Sequence, residues 1–196
     1  MEIDLEKLTP DVRHLSDMKE VLFDQAWAKD AQDTNLYLMY RKVTQEDGIN
    51  HSVTIVPVKM LGKEFVKTKG HVHIGNFQEI YTVEEGQALY LMQKGDAEKI
   101  TDVFVVQAKK GESIIIPSGY GHVTINPSET EDLKTGDWTS ENCKSDYSLF
   151  EKNQGACYYY TTEGWIKNEH YKIVPALRFV EPLKLIPQSL DFLKAE

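Results

Sequence analysis

The chain carries His71 and His73 one residue apart, Glu79 six residues later, and His122 just beyond the turn "PSGYG". Imidazole and carboxylate side chains together ligate divalent metals through nitrogen and oxygen. They are also ordinary polar positions on a strand that faces water. Successive strand residues point to opposite faces, so His71 and His73 share one face. Glu79 and Tyr81 share a face of the following run, "EIYTVEE". If these two runs pair as a hairpin across Gly75 and Asn76, Glu79 comes opposite the histidines. Residue type and spacing alone leave both readings open.

The elements that must hold these residues are strands. From Asn35 onward, "NLYLMYRKV", "HSVTIVPVKM", "EFVKTKGHVH", "EIYTVEE", "QALYLMQK", "ITDVFVVQA", "ESIIIP", "GHVTIN", "ACYYYTTE" and "YKIVPALRFV" are rich in β-branched and aromatic residues. Gly, Pro, Asn and Asp cluster between them. Such spacing predicts an all-β antiparallel sandwich or barrel. Residues 1–34 read as an N-terminal arm with a helix, its start at Asp17 and Glu20 and helical composition from Ala26 to Ala31. Residues 35–180 read as the barrel, and 181–196 as a tail with a short helix packing Leu190 and Leu193. Residues 127–154 are polar and read as an insertion, too long for an ordinary loop. The whole, 1–196, reads as a single domain.

Of the 196 residues, 41% are hydrophobic and 27% charged, a globular composition. The net charge of −9 argues against nucleic acid or an anionic membrane as partner. Only Cys143 and Cys157 are present, which fits neither a zinc spacing nor a disulfide framework. The acidic N-terminus does not resemble a signal peptide, and no apolar run approaches a membrane span. A cytoplasmic protein with free thiols is expected.

"GESIIIPSGYGHVTIN" sets Gly111, Pro117, Gly119, His122 and Asn126 at the spacing of the second cupin motif. His71, His73, Glu79 and Gly86 resemble the first. Two departures occur: the gap before Glu79 is slightly long, and Phe65 stands where a glycine is usual. The chain is thus identified as resembling the cupin superfamily. That implies a double-stranded β-helix, or jelly-roll barrel, in which His71, His73, Glu79 and His122 bind one divalent transition metal: iron, manganese, nickel, cobalt or zinc.

"RHLSDM", "LGKEFVKTKGHVH" and "EIYTVEEG" further resemble the cupin-type glucose-6-phosphate isomerases. The resemblance runs from about Arg13 to Asn126 and partly returns near "NEHYKIV". It implies isomerisation of glucose 6-phosphate and fructose 6-phosphate in glycolysis and gluconeogenesis, and a homodimer. By this resemblance Thr68, Gly70, Tyr37 and Thr54 bind the sugar phosphate, and Tyr81 lies in the sugar site beside Glu79; in so acidic a chain the dianion needs local donors, among which Lys69 is a candidate. Tyr160, Tyr171 and His170 are the matches for further aromatic and histidine positions near the barrel mouth. Thr68 has the wrong strand parity to share a face with His71, unless Gly70 introduces a bulge. Glu79 as a metal ligand is a poorer base, so proton transfer and a hydride shift both stay open. The alternatives are another metal-dependent cupin enzyme, a dioxygenase or sugar epimerase, and a non-catalytic sugar-binding cupin.

Overall fold

A computed structural model describes residues 4–194. Two six-stranded sheets face each other. The first runs in the order β1 (Asp11–His14), β2 (Asn35–Glu46), β3 (Ile49–Val56), β12 (Leu133–Ser140), β7 (Glu79–Glu85), β10 (Ser113–Ile116). The second runs β13 (Lys144–Asp146), β6 (His71–Ile74), β11 (Gly121–Ile125), β8 (Gln87–Gly95), β9 (Ile100–Lys109), β16 (Arg178–Val180). A small third sheet joins β15 (Gly164–Lys167), β14 (Tyr158–Thr161), β5 (Glu64–Phe65) and β4 (Met60–Leu61). Among the described residues the named strands pair antiparallel except for β16 against β9. The all-β barrel expected from the strand spacing is what the chain forms. Among the described residues no helix is long and apolar enough to cross a membrane.

Apolar side chains of both sheets meet inside, among them Val83, Tyr90, Leu91, Val105, Ile114 and Val123. The N-terminal arm joins this core: Leu15, Met18, Val21 and Leu22 are fully buried. The helix expected from Asp17 does not form there. Residues 15–17 and 19–21 make two 3-10 turns, and the Asp17 carboxylate accepts from the His14 amide at 3.0 Å. The α-helix of the arm is α1, Gln25–Asp30, and its cap is Asp24, which accepts from the Trp27 amide at 2.9 Å. At the other end Asp191–Leu193 forms a single 3-10 turn with Leu193 buried.

Two further sequence expectations need correction. The polar stretch 127–154 is not an excursion from the barrel. Its β12 lies in the middle of the first sheet, paired with both β3 and β7, and is followed by β13 and the short helix α2, Ser148–Lys152. "YKIVPALRFV" is strand only at Arg178–Val180.

A buried ion pair ties the arm to the barrel. Lys67 Nζ bonds Glu64 and donates to the Val21 carbonyl at 2.8 Å, while Glu64 accepts from the Phe23 amide at 3.0 Å. Both side chains are at most 4% exposed.

A candidate metal centre and its cavity

The hairpin expected between the histidine strand and the glutamate strand does not form; β6 and β7 lie in opposite sheets. β6 pairs instead with β11, with His71 directly opposite His122. Cross-strand partners share a face, so both imidazoles point inward, as does His73 two residues on. Glu79 reaches them from the facing sheet across the barrel interior.

One ligand atom from each of His71, His73, Glu79 and His122 lies within 4.8 Å of all the others. Glu79 Oε2 is 3.1 Å from His122 Nε2 and 3.3 Å from His73 Nε2. Ligands about 2.1 Å from a common ion stand roughly 3–4 Å apart, so the spacing suits a metal. Glu79 Oε2 is also buried without a hydrogen-bond partner, a costly state for a carboxylate unless a cation meets it. The Nδ1 of His73 faces the Phe77 carbonyl at 3.5 Å, which turns Nε2 toward the centre. The four residues fit a bound divalent ion.

Electrostatics agree for most of the set. Burial, then the charge of His122, holds His71 well below the usual imidazole range, and burial also lowers His122. Neutral imidazole is the ligating form. Burial alone would raise Glu79, but His122 and His73 beside it keep it ionised. Burial would lower His73, but Cys143 and Glu79 outweigh it and push His73 up to about 10. A cation at the centre would displace that proton.

The cluster lies in the wall of a cavity of about 250 Å³. Tyr37, Thr54, Thr68, Gly70 and Tyr81 line the same cavity. Gly70 has φ +85°, which breaks the alternation and brings Thr68 to the cavity with His71 despite their opposite parity. The Tyr81 hydroxyl stands 3.4 Å from His122 Nε2. Lys69 lines the cavity too, but its ammonium is held by Glu20 and Glu151, each at 2.7 Å, and is not free for an anion.

Tyr160, Tyr171 and His170 are not among the cavity's lining residues. Tyr160 stacks on Phe65 and tilts against Trp165. Tyr171 is buried, donating to the Gly155 carbonyl and accepting from Gln93. His170 is exposed and pairs with Gln154. In their place the structure brings Tyr147, 5.5 Å ring to ring from His71, with Asp137, Thr139 and Arg13. Asp137 is a second interior carboxylate, opposite Tyr81 on β12. Burial, then the Glu79 charge, pushes its carboxyl well up.

The glycines beneath the cluster yield a prediction. Phe150 of α2 is fully buried, and a Cβ on Gly70 would meet its ring at 2.6 Å and Val123 at 2.7 Å. Gly70→Ala therefore combines a clash with a disfavoured φ. A loss of about 2–4 kcal/mol of stability is expected in chemical denaturation. Weaker metal binding should accompany it, because His71 is the next residue.

Residues 12–176 match the model of the glucose-6-phosphate isomerase family. The glucose-6-phosphate isomerase of Thermococcus litoralis is 30% identical over 128 residues, which is 62% of this chain and 65% of that protein. That of Pyrococcus furiosus is 31% identical over 123 residues, 59% of this chain and 62% of that one. The aligned part thus spans less than two-thirds of either relative. Among solved structures, a recombinant oxalate oxidase in complex with glycolate superposes with a TM-score of 0.46 at 16% identity, covering 58% of this chain and 55% of that one. The family match runs from the arm through both strands of histidines and past β15, and the chain belongs to the glucose-6-phosphate isomerase family.

Proposed function

We propose that this chain interconverts glucose 6-phosphate and fructose 6-phosphate, using one divalent transition metal held by His71, His73, Glu79 and His122. The observation that supports this most is the meeting of two features in one cavity: a buried ligand cluster, and a wall of hydroxyl groups suited to a phosphorylated sugar. The bound ion would polarise the sugar carbonyl and stabilise the negative charge that develops on its oxygens.

The chain's own groups bind and orient. The Tyr37 hydroxyl accepts from the Lys69 amide at 3.2 Å and keeps its proton to donate. Thr68 Oγ1 accepts from the Thr124 amide at 3.0 Å and likewise retains a donor. With Thr54 and Gly70, these form the phosphate-binding wall in our reading. Tyr81 presents its hydroxyl beside the ligand cluster, to the sugar oxygens. Of the cavity carboxyls, ionised Glu79 is the one able to take a proton between C1 and C2, and Asp137, pushed well up, is one able to give a proton back. His170, exposed and paired with Gln154, has no part in this chemistry.

The same reading makes the protein a cytoplasmic homodimer acting in glycolysis and gluconeogenesis. Exposed Phe179, Leu185 and Ile186 offer apolar surface for a second copy. The function is tested by adding purified protein to fructose 6-phosphate and following the anomeric proton signals of glucose 6-phosphate. Their growth is the expected result. Consumption of dissolved oxygen instead, or no product with any metal, would overturn the reading.

A further inference from the structure

Arg13 is a charged residue of the cavity wall with no assigned role. It belongs to the four-residue edge strand β1, where its Cα partner is Tyr37. Tyr37 is buried and lines the cavity, and Arg13 shares its face. The Arg13 guanidinium carbon stands 6.0 Å from the centroid of the Tyr37 ring and 6.0 Å from that of Tyr147. At that range two aromatic faces steady the group without neutralising it.

Among the described residues its charge is met only in part: the Tyr37 hydroxyl accepts from it, and Asp17 acts on it from beyond ion-pair distance. Among the described residues Arg13 makes no ion pair, and its Nε is buried without a hydrogen-bond partner. The neighbouring acid Asp17 is engaged by the His14 amide. Other cavity cations are engaged or at the rim: Lys69 by Glu20 and Glu151, Arg41 by Asp11, while Lys42 is exposed. A buried donor without a partner is expensive to keep. A guanidinium presents several donors in a planar fork that matches a phosphate. In a chain of net charge −9, an anionic ligand needs such a local cation.

We infer that Arg13 anchors the phosphate dianion of the substrate, closing the phosphate wall from the N-terminal arm beside Tyr37 and Tyr147. The inference takes the identity of the anion from the isomerase reading; the anion site itself stands on the geometry of Arg13. Arg13 is then a substrate-binding residue that sets affinity for phosphorylated sugars and leaves the ligand cluster untouched.

The test compares wild type, Arg13→Gln and Arg13→Lys by two readouts: KM and kcat for fructose 6-phosphate, and inorganic phosphate binding by calorimetry on the metal-loaded protein. For Arg13→Gln the expected result is a KM about 10- to 100-fold higher, kcat within a few-fold, and phosphate affinity lowered by a similar factor. Arg13→Lys should recover part of both, and it carries the test alone if Arg13→Gln fails to fold. Unchanged KM and phosphate affinity in Arg13→Gln would overturn the proposal, and so would a fall in kcat at constant KM. If wild type binds phosphate through Arg13 yet turns over no sugar, the isomerase reading fails and the anion site stands.

Discussion

Glu79→Gln should leave the barrel folded and abolish metal-dependent turnover. The substitution keeps the size of the side chain and the β7 register, and removes the anionic member of the ligand set. Glu79 lies in the sheet opposite the three histidines, so it is the ligand that closes the site across the interior. Without its charge the centre becomes three neutral imidazoles and an amide, which loses the anionic ligand and with it much of the site's affinity for a divalent ion. A metal acting as a Lewis acid supplies several kcal/mol of transition-state stabilisation, so kcat/KM should fall by about 10³-fold or more. Metal content after dialysis should fall with it. The melting temperature of the metal-free variant should fall modestly below that of metal-free wild type at neutral pH, since the carboxylate that His122 and His73 hold ionised is replaced by a neutral amide. A Glu79→Gln protein that binds metal normally and retains wild-type turnover would show that Glu79 is neither ligand nor base.

The second large effect is on stability. Lys67→Met removes the cation from the buried pair and strands the Glu64 carboxylate, which is 1% exposed. Breaking such a pair from one side costs about 3–5 kcal/mol. In a chain of this length that lowers the melting temperature by roughly 10 °C. Glu64 is raised above the ordinary carboxylate range by burial, against the opposing pull of Lys67. A carboxyl raised in the folded state contributes stability that is full below the ordinary range and is lost as pH rises through the folded value. Removing Lys67 removes the pull and raises Glu64 further. The deficit of Lys67→Met against wild type should therefore be larger at about pH 7 than at about pH 5. Denaturant melts at the two pH values read this directly, and an equal or inverted deficit would show that the pair is not the controlling contact.

The strands that were legible in sequence are those whose composition is β-branched and whose ends carry Gly or Pro. "EIYTVEE" coincides with β7, and "QALYLMQK" with β8 to within a residue. β12 was hidden for a physical reason. One of its faces, with Asp137 and Thr139, lines the polar cavity, and the other carries Lys134, Gly136 and Trp138. No hydrophobic alternation survives in such a strand, so "LKTGDWTS" reads as an insertion. The ligand residues stood out by spacing, whereas their arrangement did not: periodicity gives the face of a strand but not which strand it pairs with. Glu79 therefore seemed to need a hairpin that the barrel replaces with a facing sheet.

The aromatic residues of the cavity were the hardest to identify. Tyr160 and Tyr171 sit in apolar strand-like runs and pack in the protein for the same reason that they looked promising. Tyr147 lies inside the polar stretch 127–154, where a single aromatic among acids and serines gives little signal. Arg13 lies on a strand too short to show a period. Lys69 illustrates the reverse error. A lysine beside the histidines suggests a phosphate contact, yet two carboxylates distant in sequence, Glu20 and Glu151, already hold it.

The most direct measurement is turnover of fructose 6-phosphate by protein stripped with chelator and reloaded with single divalent ions, with His71→Ala treated in parallel and metal content determined at each stage. Activity should vanish with the metal, return as bound ion approaches one per chain, and stay absent in His71→Ala. Full activity in the stripped protein, or a fully loaded site that converts no sugar phosphate, would contradict the account.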